Sequence, residues 1–155
     1  MPIDYPTLVQ IAADEMDADV CSLYIREGEG LVLVATFGLE PEAVGTVAMD
    51  LNEGLSGLVY SEARFLSVTE PRTHPRYRHF PISGEEAFRS YLGLPLLKGL
   101  GVLVFQTRSL HVFSMPEIKA AMTWAERFSN HWLQEHAPSV PQAGKADFPM
   151  RPTSR

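Results

Sequence analysis

Arg72, Arg76, Arg78 and Arg89, together with His74 and His79, crowd one short stretch of the chain, with Glu70, Glu85 and Glu86 beside them. A guanidinium offers two parallel donors in a fixed fork, the geometry that holds a carboxylate. Arg76 or Arg89 is therefore the expected anchor for an acidic metabolite. The alternative is that each arginine pairs with a neighbouring glutamate at the surface, an arrangement worth under about 1 kcal/mol. Apolar walls for such a site are expected from Phe37, Val59, Phe80, Phe88 and Tyr91, with polar contacts from Ser90 and Tyr77, since small-molecule pockets are mostly apolar with a few placed polar groups. The opposing reading, that these aromatics simply fill the core, stays open at this level. Cys21 alternates with Leu23 and Ile25 and reads as a small buried residue rather than a nucleophile. His74, His79, His111, His131 and His136 are scattered, and no metal spacing, nucleophile–base pair or phosphate loop is evident. Neither catalysis nor a cofactor or metal is expected.

Charge narrows the partner. The formal net charge of −6 argues against general nucleic-acid affinity, which depends on Lys and Arg neutralising phosphates. The balance is uneven: residues 1–62 hold twelve acids and only Arg26 as a base, whereas residues 63–155 hold twelve bases and seven acids. An anion is thus better received by the second half. With Cys21 as the single cysteine there is no intrachain disulfide. Met1-Pro-Ile-Asp4 lacks a basic start, and no apolar run approaches the roughly 18 residues of a membrane span. The expectation is a cytoplasmic protein with no membrane contact.

The elements that must position these residues follow from periodicity. Asp4 caps a helix with Pro6 in its first turn and Leu8, Ile11, Ala12 and Met16 on one face. From Val20 the period becomes two, with Cys21, Leu23 and Ile25 facing one way and Val20, Ser22 and Tyr24 the other. Residues 26–30 form a turn into an apolar strand, Leu31–Phe37, central in the sheet. A strand near Thr46–Asp50, a short helix over Leu58–Ala63 with Gly54 and Gly57 before it, a brief strand over Phe65–Val68 and an irregular segment over 69–88 come next. Ser90–Leu97 and Gly101–Thr107 make a hairpin about Lys98-Gly99. Ser114-Met-Pro-Glu117 is a capping box, followed by a stripe of Ile118, Ala121, Met122, Ala125, Phe128 and Trp132. Residues 1–136 read as one domain and 137–155, rich in proline, as a tail or linker. The fold class is α+β: an antiparallel sheet of five to six strands, with the terminal helices on one face and the 51–95 segment forming a ligand pocket on the other.

Several runs carry a family resemblance: Val20-Cys-Ser-Leu-Tyr-Ile25, Leu33-Val-Ala-Thr-Phe-Gly-Leu39, Gly54-Leu-Ser-Gly-Leu-Val59, His74-Pro-Arg-Tyr77 with Phe80-Pro81, Gly84-Glu-Glu86, and Tyr91-Leu-Gly-Leu-Pro95 followed by Gly101-Val-Leu-Val104. Together they resemble a GAF domain, over roughly residues 5–135. More narrowly, they resemble the amino-terminal GAF domain of enzyme I of the bacterial nitrogen phosphotransferase system, the PtsP type. The resemblance implies a non-catalytic regulatory domain that binds a nitrogen-status metabolite, an amino acid or a 2-oxo acid, and forms a homodimer through its terminal helices. A ligand-free dimerisation or protein-interaction module is the alternative. Two departures bear on activity: the turn at Lys98-Gly99 is short, and no Gly-rich segment with that enzyme's active-site histidine is present. Phosphoryl transfer by this chain is not expected. Cysteine-dependent branches of the family are also disfavoured, because Cys21 stands alone.

Overall fold

The computed structural model describes residues 4–78 and 88–136. The first helix, α1 (Tyr5–Met16), starts as its sequence dictates: Asp4 Oδ1 accepts from the Thr7 N–H at 2.9 Å, and Pro6 lies in the first turn. It buries Leu8, Val9, Ala12, Ala13 and Met16. Ile11, expected on that face, lies at its margin and stays exposed.

Six strands follow: β1 (Val20–Glu27), β2 (Gly30–Phe37), β3 (Val47–Asp50), β4 (Leu66–Thr69), β5 (Ser90–Pro95) and β6 (Gly101–Thr107). They form one sheet in the order β3-β2-β1-β6-β5-β4, every neighbouring pair antiparallel. The upper bound of the expected strand count is the observed one. β2 is interior, as its two-sided apolar pattern requires, but the middle of the sheet is β1 against β6. The β5–β6 connection is longer than the two-residue turn expected, with a 3-10 turn at Leu97–Gly99 closed by the Leu96 N–H donating to the Gly101 carbonyl.

Along β1 the alternation holds. Cys21, Leu23 and Ile25 enter the core under the terminal helices, while Val20 and Tyr24 enter a second core on the opposite face. In β2 it breaks. Leu23 is opposite Ala35 and Tyr24 opposite Leu33, so Val34 is an extra residue, a β-bulge. Leu31 and Leu33 therefore face the second core, whereas Ala35 joins the helix-side core and Phe37 packs against it.

The last helix, α3 (Met115–Glu135), carries both bonds of the capping box between Ser114 and Glu117. Its buried face is Ile118, Ala121, Trp124, Ala125, Phe128 and Ser129. Met122 is exposed and Trp132 half-buried against the same core. Trp124 Nε1–H donates to Glu15 Oε1 at 2.9 Å and ties α3 to α1. Both terminal helices cover one face of the sheet, as expected.

The helix α2 (Gly54–Glu62) begins earlier than its apolar residues suggest, with Gly54 at φ +71° as its first residue. It lies on the second face with Leu55 and Val59 inward. Gly57 permits that packing: a Cβ there would sit 2.8 Å from the Asn52 carbonyl carbon. Short 3-10 turns at Pro41–Ala43 and Pro71–Thr73 complete the layer. Among the described residues no helix is long and apolar enough to cross a membrane. The predicted tail, 137–155, lies outside the described residues.

Candidate functional site

The site is built on the sheet face opposite the terminal helices. Parity places Val102, Val104 and Gln106 of β6 on that face, with Tyr91 of β5 beside Gln106 and Val20 of β1 on its other side. Over this floor come Leu55 and Ser56 of α2, Met49 of β3, and the segment Pro71–Arg78. Between floor and cover lies a cavity of about 20 Å³ bounded by Met49, Leu55, Ser56, Pro71, Tyr77, Arg78, Tyr91 and Gln106. That is room for about one water molecule.

Polar groups converge on this cavity. The Ser56 and Tyr91 hydroxyls share a buried hydrogen bond of 2.8 Å. Gln106 is 4 % exposed, and its Oε1 has no hydrogen-bond partner among the described residues. A buried acceptor left unpaired costs about 1–3 kcal/mol, so such an atom calls for a partner. Arg78 stands at the mouth, half out in solvent, in an ion pair with Glu53.

The predicted residues divide. Tyr77 and Tyr91 border the cavity, and Val59 and Phe88 belong to the surrounding core, Phe88 beneath the Arg108 guanidinium at 4.9 Å. Phe80 lies outside the described residues. Phe37 does not reach this face, because the bulge at Val34 turns it toward the helices. Ser90 has the parity of Leu92 and Leu94, also toward the helices, and its buried Oγ accepts from the His111 N–H at 2.7 Å and donates to the Ser109 carbonyl at 3.4 Å. It braces the β6–α3 connection instead of reaching into the cavity. Arg89 does form a two-pronged fork, but on Glu70, with Nε to Oε1 3.1 Å and Nη2 to Oε2 2.8 Å. That pairing holds the Glu70 carboxyl below its ordinary range. Arg76 donates from Nη2 to the Asn52 carbonyl at 2.7 Å and from its backbone N–H to His74 Nδ1 at 3.0 Å, pinning its segment to the turn before α2. Of the clustered arginines named above, Arg78 is the one bordering the cavity.

Gln106 and Ser56 escaped sequence reasoning. The signal for Gln106 was present: it continues the face of Val102 and Val104 as a polar residue on an otherwise apolar strand face.

A larger groove of about 690 Å³ runs between the end of α2, the β5–β6 connection and α3, floored by Leu58, Leu94 and Leu96. Its charged residues, Glu62, Arg64, Lys98 and Glu126, are all exposed, and Glu62 and Arg64 pair with each other at 2.9 Å. It offers apolar surface without a polar group aimed inward. Cys21 is fully buried, which pushes its thiol well up. Among the described residues no cluster of three His, Cys, Asp or Glu could hold a metal ion.

A family model described as GAF domain matches residues 5–131. The GAF domain of a phosphoenolpyruvate-protein phosphotransferase (ptsP) from Coxiella burnetii is 32% identical, with a TM-score of 0.79, covering 85% of this chain and 82% of that one. The GAF domain of the Acinetobacter phosphoenolpyruvate-protein phosphotransferase is 31% identical, with a TM-score of 0.74, covering 85% and 81%. A curated relative from Salmonella typhimurium, described as phosphoenolpyruvate-dependent phosphotransferase system, is 35% identical over 85 residues, which are 54% of this chain and 11% of that protein. The chain thus spans a small part of the length of that relative.

Proposed function

The chain belongs to the GAF domain family, and from that premise we propose that it is a sensor of an amino-acid or 2-oxo-acid metabolite in nitrogen-related phosphotransferase signalling. The family is one of regulatory small-molecule-binding domains. The observation that carries the reading is the unpaired Gln106 Oε1, facing a cavity beside the Ser56–Tyr91 hydroxyl pair. A buried polar group without a partner marks a place where a ligand gains more than a packed core does. At about 20 Å³ the cavity admits a metabolite only after the cover moves outward. Arg76 on the Asn52 carbonyl and Arg78 on Glu53 are the exposed contacts that such opening breaks and re-forms. Arg78 is then placed to meet the carboxylate of an incoming ligand, in the role the sequence suggested for Arg76 or Arg89. The output falls to α1 and α3; a homodimer through these helices would use their exposed Ile11, Met115 and Met122.

Thermal unfolding with millimolar amino acids and 2-oxo acids tests this. A ligand at about 100 times its dissociation constant adds about 2.7 kcal/mol, a shift of several degrees for a domain of this size. We expect a selective rise in the midpoint that is lost in Arg78→Ala and kept in Arg89→Ala. No shift with any compound of either class overturns the assignment.

A further inference from the structure

We propose that Gln106 sets the ligand class, selecting amino acids over the 2-oxo acids of the same carbon skeleton. The inference rests on the sensing role assigned above and deepens it. Gln106 lies in the middle of the sheet, between Val20 and Tyr91, with its side chain on the cavity face and 4 % exposed. Its Oε1 is a buried acceptor with no partner among the described residues, and two hydroxyls bordering the cavity, Ser56 and Tyr91, are bonded to each other.

A carboxamide is satisfied only by a partner that both donates and accepts. An α-amino acid does both at adjacent atoms. Its ammonium donates to Oε1, and its carboxylate accepts from the Nε2–H of the same amide. A 2-oxo acid presents the same carboxylate beside a keto oxygen, and both are acceptors. Its carboxylate takes the Nε2–H, but its keto oxygen is brought against Oε1, lone pair against lone pair, and the buried acceptor stays unpaired. Turning the amide over exchanges the two ends without changing this requirement. A site built to bond a substrate N–H rejects the analogue lacking it far more strongly than a merely apolar wall does, because its own polar group is left orphaned.

Matched pairs isolate the one group that differs: L-glutamate with 2-oxoglutarate, L-aspartate with oxaloacetate, and L-alanine with pyruvate. Titration calorimetry of the intact chain should show, for whichever skeleton binds, the amino acid at least tenfold tighter than its oxo partner. In Gln106→Met, which keeps the length of the side chain without its donor and acceptor, that ratio should fall to threefold or less. The same variant should melt at a higher temperature than the wild type when unliganded, since the orphaned acceptor is gone; this also shows that it folds. Gln106→Leu provides a second apolar replacement. Equal or tighter binding of the oxo acid by the wild type overturns the inference and leaves the sensing role standing, as does a tenfold preference that survives in both variants. Failure of every amino acid and every oxo acid to bind the wild type overturns both.

Discussion

Cys21 shows what burial does to a single side chain. It is fully buried in β1 among the residues under α1 and α3, and burial pushes its thiol well above the ordinary value of 9.0. Because the thiolate is the nucleophile, alkylation has to wait for unfolding. At pH 8 a thiol reagent should label Cys21 no faster than the domain unfolds, and labelling within seconds in native buffer would contradict the assignment. The linkage has a definite sign. A neutral acid whose folded value is raised contributes stability that is complete below its unfolded value and is lost as pH rises past it. Tyr5, raised by burial and then by Glu135, adds a loss in the same direction at higher pH. Cys21 was legible in the sequence because strand parity decides burial. The arginines were not. Residue type states that Arg89 can fork onto a carboxylate, but which carboxylate it meets depends on β5 running beside β4 and Glu70, a long-range pairing. Gln106 was readable by the same parity as Cys21, as a polar residue continuing the face of Val102 and Val104.

At the scale of elements, α2 depends on one close approach and tolerates one strained end. Gly57 lies against the Leu51–Asn52 backbone, where a Cβ would be 2.8 Å from the Asn52 carbonyl carbon and 3.1 Å from the Leu51 oxygen. Backbone cannot swing aside as a flexible side chain can, so Gly57→Ala should destabilise the domain by about 1–3 kcal/mol. Ala63, just past the end of α2, has φ 54° and ψ 39°, left-handed values that an L side chain resists. Ala63→Gly should stabilise by about 1 kcal/mol. Paired urea titrations check both, and a Gly57→Ala midpoint at or above the wild type would show that the turn before α2 yields freely. These positions also explain where element boundaries were and were not legible. The start of α3 was explicit in Ser114 and Glu117, whose capping bonds are local. The start of α2 carried no capping side chain, only glycines, so its apolar residues suggested a helix beginning a turn late. The bulge at Val34 left no signal either, because β2 is apolar on both sides. That one extra residue moved Phe37 from the expected pocket wall to the helix layer.

In the molecule as a whole, one sheet separates two cores, and a signal from the cavity has to cross or skirt it to reach the terminal helices. Gln106 and Phe105 are consecutive on β6 and point to opposite faces, Phe105 into the core shared with α1 and α3. A second link runs along the edge of the hairpin, where the Leu97 N–H donates to Ser129 Oγ on α3 at 2.9 Å. Binding on one face changes the helices on the other only if the ligand prefers one of two arrangements of these contacts. The protein carries its own reporter of that preference. Both tryptophans lie on α3, Trp124 buried with its ring 6.0 Å from Phe128 and its indole N–H on Glu15, and none of these residues borders the cavity. In a Trp132→Phe background the emission of Trp124 reads the α1–α3 contact alone. A saturating amino acid that binds at Gln106 should shift or quench that emission, and Ser129→Ala should reduce the change while leaving the affinity within about threefold, about 0.6 kcal/mol. Unchanged Trp124 emission at a concentration where calorimetry shows full occupancy would mean that the sheet does not pass the bound state to the terminal helices, and that the output leaves by another surface.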